Sequence, residues 1–189
     1  MQKPTLYFVT HNAGKFREAQ ALFREHFNLE QIDMTYPELQ EDDLSKIAAY
    51  GARYCSVELD KPVIVEDSGL FIDALNGFPG PYSAYVQQTL GNKGILKLME
   101  GVKGRRAEFR SCVAYCAPGE EPTVFTGIWW GDLLTEEVGK EGFGYDPIFS
   151  YRQYPVGEMT VEQKNEVSHR CRALLEFRQW YENKLKTVR

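Results

Sequence analysis

The sequence predicts a mixed α/β fold, in which helices are dispersed among strands and one pair of strands forms an antiparallel hairpin. Apolar residues make up 43% and charged residues 26% of the 189 residues, enough apolar material for one large core. Strand-like and helical patterns alternate along the chain. Two alternating runs are joined by PGEEP at 118–122, which is a hairpin signal. We therefore expect a single domain over residues 1–189.

The pattern of each segment predicts its secondary structure in chain order. β-Branched and aromatic residues predict a strand over 4–10, and apolar residues at helical spacing predict a helix over 15–27. The polar segment 31–40 is expected at a sheet edge. The remaining expectations are a helix over 43–59, two short strands within 61–75 that break at 67–69, a Gly/Pro-rich loop over 76–86, a short helix near 91–100, hairpin strands over 107–117 and 123–134, a turn-rich strand over 142–151, and a helix over 168–186 with Ser168 as its N-cap.

Composition restricts the function classes. The chain has 22 basic and 27 acidic residues, a formal net charge of −5. This negative field opposes binding to a nucleic-acid polymer, so positive charge for an anionic ligand must be concentrated locally. No stretch approaches the about 18 consecutive apolar residues of a membrane span, and the N-terminus has no signal-peptide pattern. The four cysteines are too few for a disulfide scaffold and favour a reduced, cytoplasmic protein.

The first candidate site is the turn Thr10-His11-Asn12-Ala13-Gly14-Lys15, where a strand ends and a helix begins. Free backbone N–H groups and the positive end of the helix dipole favour an anion at such a junction. Lys15 adds a positive charge, and Thr10 and Asn12 add hydrogen-bonding groups. Taken alone, Asn12 and Gly14 are explained equally well as ordinary turn formers.

The second candidate is Glu66-Asp67-Ser68-Gly69, which follows the apolar run VIV. Carboxylates at a strand end are hard oxygen ligands that suit Mg²⁺ and a polyphosphate. Because neighbouring side chains of a strand point to opposite faces, we expect only one of the two acids to enter a site. Glu38 is a second candidate metal carboxylate, although on its own it fits a solvated surface acid better.

Two further candidates lie in the C-terminal half. In GFGYDP at 142–147, small residues flank Phe143 and leave its ring open, so that the ring could stack on a purine next to the carboxylate of Asp146. A Phe that simply packs within a strand fits this pattern equally well. Lys164 precedes Ser168-His169-Arg170, and positive side chains at a helix N-terminus oppose the helix dipole. An anionic or carbonyl-rich ligand would account for them, as would a solvated basic face.

Together these motifs resemble the family of noncanonical purine nucleoside triphosphate pyrophosphatases, also called inosine triphosphate pyrophosphatases. The resemblance rests on five stretches in the family's order: FVTHNAGK at 8–15, YPELQ at 36–40, VEDSGLFIDALNGFPGPYSAYV at 65–86, GFGYDPIF at 142–149 and EMTVEQKNEVSHR at 158–170. It implies a long, twisted mixed sheet flanked by helices in two lobes, with the substrate in the cleft between them. It also implies a homodimer that uses Mg²⁺.

The implied activity is hydrolysis of ITP, dITP, XTP and dXTP to the monophosphate and pyrophosphate, which keeps these nucleotides out of DNA and RNA. The resemblance assigns Glu38 and Asp67 as metal carboxylates, with Asp67 also the proton acceptor. The implied substrate contacts are Thr10, His11, Asn12, Ala13, Gly14, Lys15, Ser68, Phe143, Gly144, Tyr145, Asp146, Lys164, His169 and Arg170.

Two positions depart from the family pattern: His11 replaces a usual Gly or Ser, and Cys171 replaces a usual Gly. Two alternative functions stay open. One is a pyrophosphatase for pyrimidine or modified nucleotides, and the other is a nucleotide-binding sensor without catalysis.

Overall fold

A seven-stranded mixed sheet runs through the molecule, which the computed structural model describes over residues 3–187. The strands are β1 (Thr5–Val9), β2 (Asn28–Ile32), β3 (Val63–Ile72), β4 (Arg106–Cys116), β5 (Thr123–Leu133), β6 (Phe149–Tyr151) and β7 (Tyr154–Pro155). Their order across the sheet is β2-β1-β3-β4-β5-β6-β7. β1 is parallel to β2 and β3, and the later pairs are antiparallel. The predicted α/β class and mixed sheet are confirmed.

Six α-helices accompany the sheet within residues 3–187: α1 (Ala13–Phe23), α2 (Leu44–Leu59), α3 (Ser83–Thr89), α4 (Gly91–Leu98), α5 (Val161–Val167) and α6 (His169–Thr187). Asp43 caps α2 through its side chain. The predicted cap Ser168 is confirmed, because its hydroxyl accepts a hydrogen bond of 3.2 Å from the N–H of Cys171 in the first turn of α6. No helix in the described part of the chain is long and apolar enough to cross a membrane.

Three clusters of buried apolar residues pack along the sheet, two on the faces of its parallel half and one at its antiparallel half. In the parallel half, α1 and α6 bury Phe8 and Phe23 on one face, and α2 buries Val65 on the other. The third cluster lies at the antiparallel half, around Leu70 and Trp129. Because β3 contributes residues to all three clusters, it connects the two halves and lies where a cleft between them must form.

The predicted break in β3 is wrong. The strand is continuous because it pairs with β4 along its whole length, from Val63 opposite Cys116 to Ile72 opposite Ala107. Gly69, which belonged to the expected break, has a packing role instead, because a Cβ added there would lie 2.2 Å from the carbonyl oxygen of Gly80. A glycine at this position therefore lets the following loop pack directly against the strand.

Other boundaries also differ from the prediction. The first helix ends at Phe23, and the chain then turns so that Phe27 packs edge-on against Phe23 with ring centres 5.4 Å apart. β2 lies at Asn28–Ile32, before most of the polar segment that was expected to form the edge. The stretch 142–151 contributes only β6, after turns and one short 3-10 helix. Neither α3 nor α5 was predicted.

The hairpin of β4 and β5 is confirmed, and its register decides which aromatic residues are exposed. Trp129 is fully buried, whereas the next residue, Trp130, is 47% exposed. All four cysteines are buried as free thiols.

Candidate active site

A cavity of about 350 Å³ lies between the start of α1, the middle of β3, α3 and the segments that follow the hairpin. It forms because β1 ends where Val9 pairs with Val65, so that the later residues of β3 no longer have β1 beside them. The loop before α3 crosses this edge, where the hydroxyl of Ser83 accepts a hydrogen bond of 2.8 Å from the N–H of Leu70. The carboxyl end of a parallel strand thus opens into a cleft, as is usual in α/β proteins.

The turn before α1 is organised by its own side chains. The side-chain oxygen of Asn12 accepts hydrogen bonds from the N–H groups of Gly14 at 2.8 Å and Lys15 at 3.1 Å. The N–H of Asn12 in turn donates to the hydroxyl of Thr10 at 3.1 Å. The expectation that the amides of this turn are free for an anion is therefore wrong for Gly14 and Lys15. Positive charge at this end of the cavity comes from the Lys15 side chain.

Lys15 reaches across from α1 to β3. Its ammonium nitrogen lies 2.8 Å from the Oε2 of Glu66 and donates to the Glu66 carbonyl oxygen at 3.1 Å. The same carboxylate accepts hydrogen bonds from the hydroxyl of Ser111 at 2.6 Å and the Nε of Arg170 at 3.1 Å. Burial raises the pKa of Glu66, but the charges of Arg170 and Lys15 outweigh burial and hold this pKa well below its usual range.

The next residue, Asp67, lines the cavity itself. Burial raises its pKa to about 6, with Lys15 acting in the opposite direction and the negative charge of Glu66 adding to the rise. Glu38 lies in the irregular segment before α2, where it is exposed, and its charge also raises the pKa of Asp67. Of the two acids only Asp67 lines the cavity, while Glu66 lies behind the lining and contacts the cavity residues Lys15 and Arg170.

The purine-side motif is built around a buried carboxylate. Asp146 accepts hydrogen bonds from the N–H of Phe143 at 2.8 Å and the ammonium of Lys164 at 2.6 Å. Gly142 has a positive φ of 76°, and a Cβ there would lie 2.2 Å from the carboxylate of Asp146. The Lys164 ammonium is 4.6 Å and the Arg170 guanidinium 5.4 Å from the ring centre of Phe143. The ring is thus not simply open to solvent, because both cations pack over it.

The cations at the start of α6 are paired within the protein. Arg170 binds Glu18 as well as Glu66, and Lys164 binds Glu18 at 2.8 Å. The carboxylate of Glu18, on α1, therefore joins the two cations. We call the resulting chain of buried ion pairs the charge chain; in order it contains Lys15, Glu66, Arg170, Glu18, Lys164 and Asp146. Neither a solvated basic face nor a ligand is required to explain these positive charges.

His169 is buried and neutral. Its ring stacks on Phe109 with centres 4.8 Å apart and an interplanar angle of 13°. Burial lowers the pKa of His169 well below its usual value, and the charges of Arg170 and Lys164 lower it further, while Glu66 opposes them. At neutral pH this imidazole can offer one donor and one acceptor to a ligand, but no charge.

Comparison with known proteins shows which family this chain belongs to. The Ham1 family profile matches residues 6–180, which is most of the chain. The chain belongs to the Ham1 family. Relatives named dITP/XTP pyrophosphatase include proteins of Methanopyrus kandleri, 57% identical over 93% of this chain and 95% of the relative, and of Methanosarcina mazei, 52% identical over 93% and 96%. The solved structure of the Staphylococcus aureus Ham1 protein matches with a TM-score of 0.82 and 28% identity, covering 95% of this chain and 99% of that one.

Most residues implied by the resemblance meet in the cavity of this Ham1-family chain. Those that line it are Asn12, Lys15, Asp67, Ser68, Phe143, Gly144, Tyr145, Asp146, Lys164, His169 and Arg170. Gly14 lies behind them, where an added Cβ would be 2.5 Å from the Cδ1 of Phe143. Their roles toward a substrate remain predictions.

The other implied residues lie outside the lining. Thr10 supports the turn, and Ala13 begins α1 on the surface. The exposed imidazole of His11 pairs with Asp33, so it is held away from the cavity. Glu38 is exposed on the irregular segment and acts on Asp67 only through its charge.

Sequence reasoning missed two residues of the site, Glu18 and Glu66. Glu18 is 2% exposed although it is charged, and Glu66 was considered only as a neighbour of Asp67. A signal for Glu18 was present: it lies three residues after Lys15 and next to the buried Ala19, on the apolar face of α1. An acid at such a position predicts a buried partner.

Proposed function

We propose that this chain hydrolyses noncanonical purine nucleoside triphosphates, with dITP and XTP as the leading substrates and ITP and dXTP beside them, to the monophosphate and pyrophosphate. The observation that carries this proposal is that one cavity collects two acids, three cations and the ring of Phe143 from distant parts of the chain. The named activity of relatives such as the one at 57% identity supports it. Such an enzyme would remove these nucleotides before they enter DNA or RNA.

Asp67 is the residue that we assign to the attacking water. It faces the cavity beside Ser68, and Lys15 lies on the side from which a phosphate chain would approach. A carboxylate in this position orients the water and accepts its proton as the water attacks the α-phosphorus. The positive charge of Lys15 favours the phosphates of substrate and leaving group.

The purine would be read by the spare donors of two cations. Lys164 retains an N–H beyond those bound by Glu18 and Asp146, and Arg170 retains N–H groups beyond its bonds to Glu66, Glu18 and Ser68. These donors suit the 6-carbonyl of hypoxanthine and xanthine. The 6-amino group of adenine would face donors instead and leave them unpaired, which permits selectivity on the order of 10⁴-fold.

Mg²⁺ is part of the proposal, because the side chains around the cavity carry no net positive charge. The charge chain has three cations and three carboxylates, and Asp67 adds a further acid. Asp67 and Glu38 would hold the ion through carboxylate oxygens. Within residues 3–187 no group of three or more His, Cys, Asp or Glu side chains is arranged to hold a metal, so water and phosphate oxygens would complete the coordination. Bound Mg²⁺ would neutralise charge on the phosphates.

A turnover panel tests the proposal. Pyrophosphate release is measured with ITP, dITP, XTP and dXTP, and with ATP, GTP and CTP as comparators, each with and without Mg²⁺. We expect kcat/KM for the first four to exceed that for ATP by at least about 100-fold, with pyrophosphate rather than phosphate as product. Equal turnover of ATP, or a preference for CTP, would contradict the proposed substrate class. Tight binding of XTP without any product would favour the sensor alternative.

Two features of the cellular context belong to the same proposal. We place the protein in the cytoplasm, where its four buried thiols would stay reduced. We also propose that it works as a homodimer. The resemblance to the family does not by itself indicate which surface joins the two copies.

A further inference from the structure

The purine-side motif is also held by contacts from α3 and α4. The carbonyl oxygen of Gly144 accepts hydrogen bonds from the Nε2 of Gln87 on α3, at 3.2 Å, and from the Nδ2 of Asn92 on α4, at 3.1 Å. The hydroxyl of Tyr145 donates to the carbonyl oxygen of Ser83 at 2.8 Å. Two short helices therefore fix the backbone of this motif, in addition to the buried carboxylate within it.

The two carboxamides have a fixed orientation. Only the NH₂ group of a carboxamide can donate to a carbonyl oxygen, so the bonds to Gly144 identify the other end of each side chain as an oxygen. The Oε1 of Gln87 and the Oδ1 of Asn92 are buried, and neither accepts a hydrogen bond from the part of the chain that the structure describes. Because buried acceptors in native proteins are nearly always paired, these two oxygens need an explanation.

The two oxygens differ in what can reach them. Gln87 belongs to the lining of the 350 Å³ cavity, together with Lys164 and Arg170. Among residues 3–187, Asn92 is not part of that lining. A ligand in the cavity can therefore pair with the oxygen of Gln87, whereas Asn92 acts on the cavity only by holding Gly144.

The edge of a keto-purine carries the donor that this oxygen lacks. Hypoxanthine and xanthine have a carbonyl group at C6 and, next to it, an N–H at N1. Adenine has an amino group at C6 and an unprotonated nitrogen at N1. The donors of Lys164 and Arg170 suit the 6-carbonyl, but the N1 proton still needs an acceptor beside them.

One other side chain of the described lining has a buried polar atom without a partner. This atom is the Nδ1 of His169. In a neutral imidazole the proton can occupy either nitrogen, so this atom can donate or accept. The oxygen of Gln87 can only accept, which matches the N1 proton without any choice of tautomer.

We propose that Gln87 is a specificity-determining residue, whose Oε1 accepts a hydrogen bond from the N1–H of a keto-purine. This inference rests on the proposed function and deepens it. One carboxamide would join the base to the carbonyl group of Gly144 and thereby to the motif that carries Phe143. With adenine, the oxygen would meet the lone pair of N1 and both would lack a donor. Because guanine also has N1–H, Gln87 separates keto-purines from adenine but not from one another.

Binding of the α,β-methylene analogues of ITP and ATP, which cannot release pyrophosphate, tests this contact. Calorimetry in the presence of Mg²⁺ gives the Kd of each analogue for the unmodified chain, for Gln87→Leu and for Gln87→Met, and circular dichroism checks that each variant is folded. Both substitutions keep an apolar side chain of similar size and remove the two polar ends. We expect the preference for the ITP analogue over the ATP analogue to fall about tenfold, mainly because the ITP analogue binds more weakly.

Asn92→Leu is the matched variant, because it removes the other hydrogen bond to Gly144 without changing the cavity lining. It should weaken the binding of both analogues by the same factor and leave the preference unchanged. Gln20→Leu makes the same chemical change as Gln87→Leu at an exposed position of α1 and should leave both Kd values unchanged.

Three results would overturn the inference: an unmodified chain with no preference for the ITP analogue, an unchanged preference in the Gln87 variants, or an equal loss of preference in Asn92→Leu. The last result would mean that Gln87 only holds the motif. Binding is measured separately from turnover. A preference that depends on Gln87, in a chain that does not hydrolyse ITP, would therefore contradict only the proposed function.

Discussion

Replacing Glu66 by glutamine tests the middle of the charge chain. The carboxylate accepts the Lys15 ion pair at 2.8 Å and bonds from Arg170 and Ser111, and its side chain is fully buried. Removing one member of a buried ion pair costs about 3–5 kcal/mol, because the remaining charge stays buried without a partner. Glutamine keeps one acceptor oxygen but turns an NH₂ group toward a cation. We therefore expect the free energy of unfolding to fall by about 3 kcal/mol.

The same substitution should act on turnover, because Lys15 loses the group that fixes its position beside the cavity. We expect kcat/KM for XTP to fall at least about tenfold. Unfolding in urea and pyrophosphate release are the two assays. Glu30→Gln, at an exposed position of β2, is the matched control and should change the unfolding free energy by less than about 0.5 kcal/mol.

A double-mutant cycle separates this interaction from a general loss of packing. If Lys15 and Glu66 interact as the structure places them, Lys15→Met together with Glu66→Gln should cost less than the two single changes added together, by about 0.5–3 kcal/mol. Full additivity, or a Glu66→Gln protein as stable and active as the parent, would refute the reasoning.

Four further predictions follow from single contacts. Asp67→Asn should lower kcat for XTP by about 10²–10⁴-fold while calorimetry still detects nucleotide binding; normal pyrophosphate release would contradict its role. Gly14→Ala should destabilise the protein by about 1–3 kcal/mol, because its Cβ would lie 2.5 Å from the ring of Phe143, whereas Gly104→Ala meets no atom within 4 Å and serves as the control. Below about pH 6.5 the imidazole of residue 169 takes up a proton in the unfolded chain but stays neutral in the buried site of the folded one. The free energy of unfolding should therefore fall by about 1.4 kcal/mol per pH unit more than in His169→Gln, and parallel curves of unfolding free energy against pH for the two proteins would contradict a neutral buried imidazole. Chelation of Mg²⁺ should abolish turnover but leave the urea midpoint unchanged, because the charge chain is held by protein groups alone; a large shift of the midpoint would contradict this.

Local features of the sequence were sufficient to predict the frame of the site. The β-branched run before Asn12, the cap at Ser168 and the turn between β4 and β5 each depend on residues a few positions apart. Such short-range patterns are visible in a single sequence. They located the end of β1 and the helix that follows it, which position Lys15, whereas Asp67 lies inside the continuous β3 and not at the strand end that was expected.

The charge chain could not be predicted from the sequence, because its members are far apart along the polypeptide. Glu18 and Arg170 are 152 positions apart, and Glu66 and Arg170 are 104 apart. No local pattern states which buried acid a given cation will meet. The same reason explains why β3 was expected to break: its polar residues find partners on other elements, and only the complete sheet supplies them.

The pairing of the cations also changes how their contribution to specificity has to be measured. Arg170→Ala would leave both Glu18 and Glu66 without a partner, so it would destabilise the fold before it reported on the purine. Arg170→Lys keeps a positive charge but removes the planar fork that serves three partners at once. A change in the ratio of kcat/KM for ITP and ATP in this variant, at unchanged kcat for ITP, would assign the base contact to Arg170.

The charge balance of the cavity connects the fold to its substrate. A triphosphate brings several negative charges, yet every cation of the charge chain is matched by a carboxylate, so the protein side chains cannot neutralise the substrate by themselves. Without a metal ion, binding of a triphosphate next to Asp67 should therefore be weak at low ionic strength and improve as salt screens the repulsion. With Mg²⁺ the salt dependence should reverse, because salt then screens an attraction. Measuring the Kd of a non-hydrolysable XTP analogue against salt, with and without Mg²⁺, gives two slopes of opposite sign if the cavity has the balance described, and two slopes of the same sign if it does not.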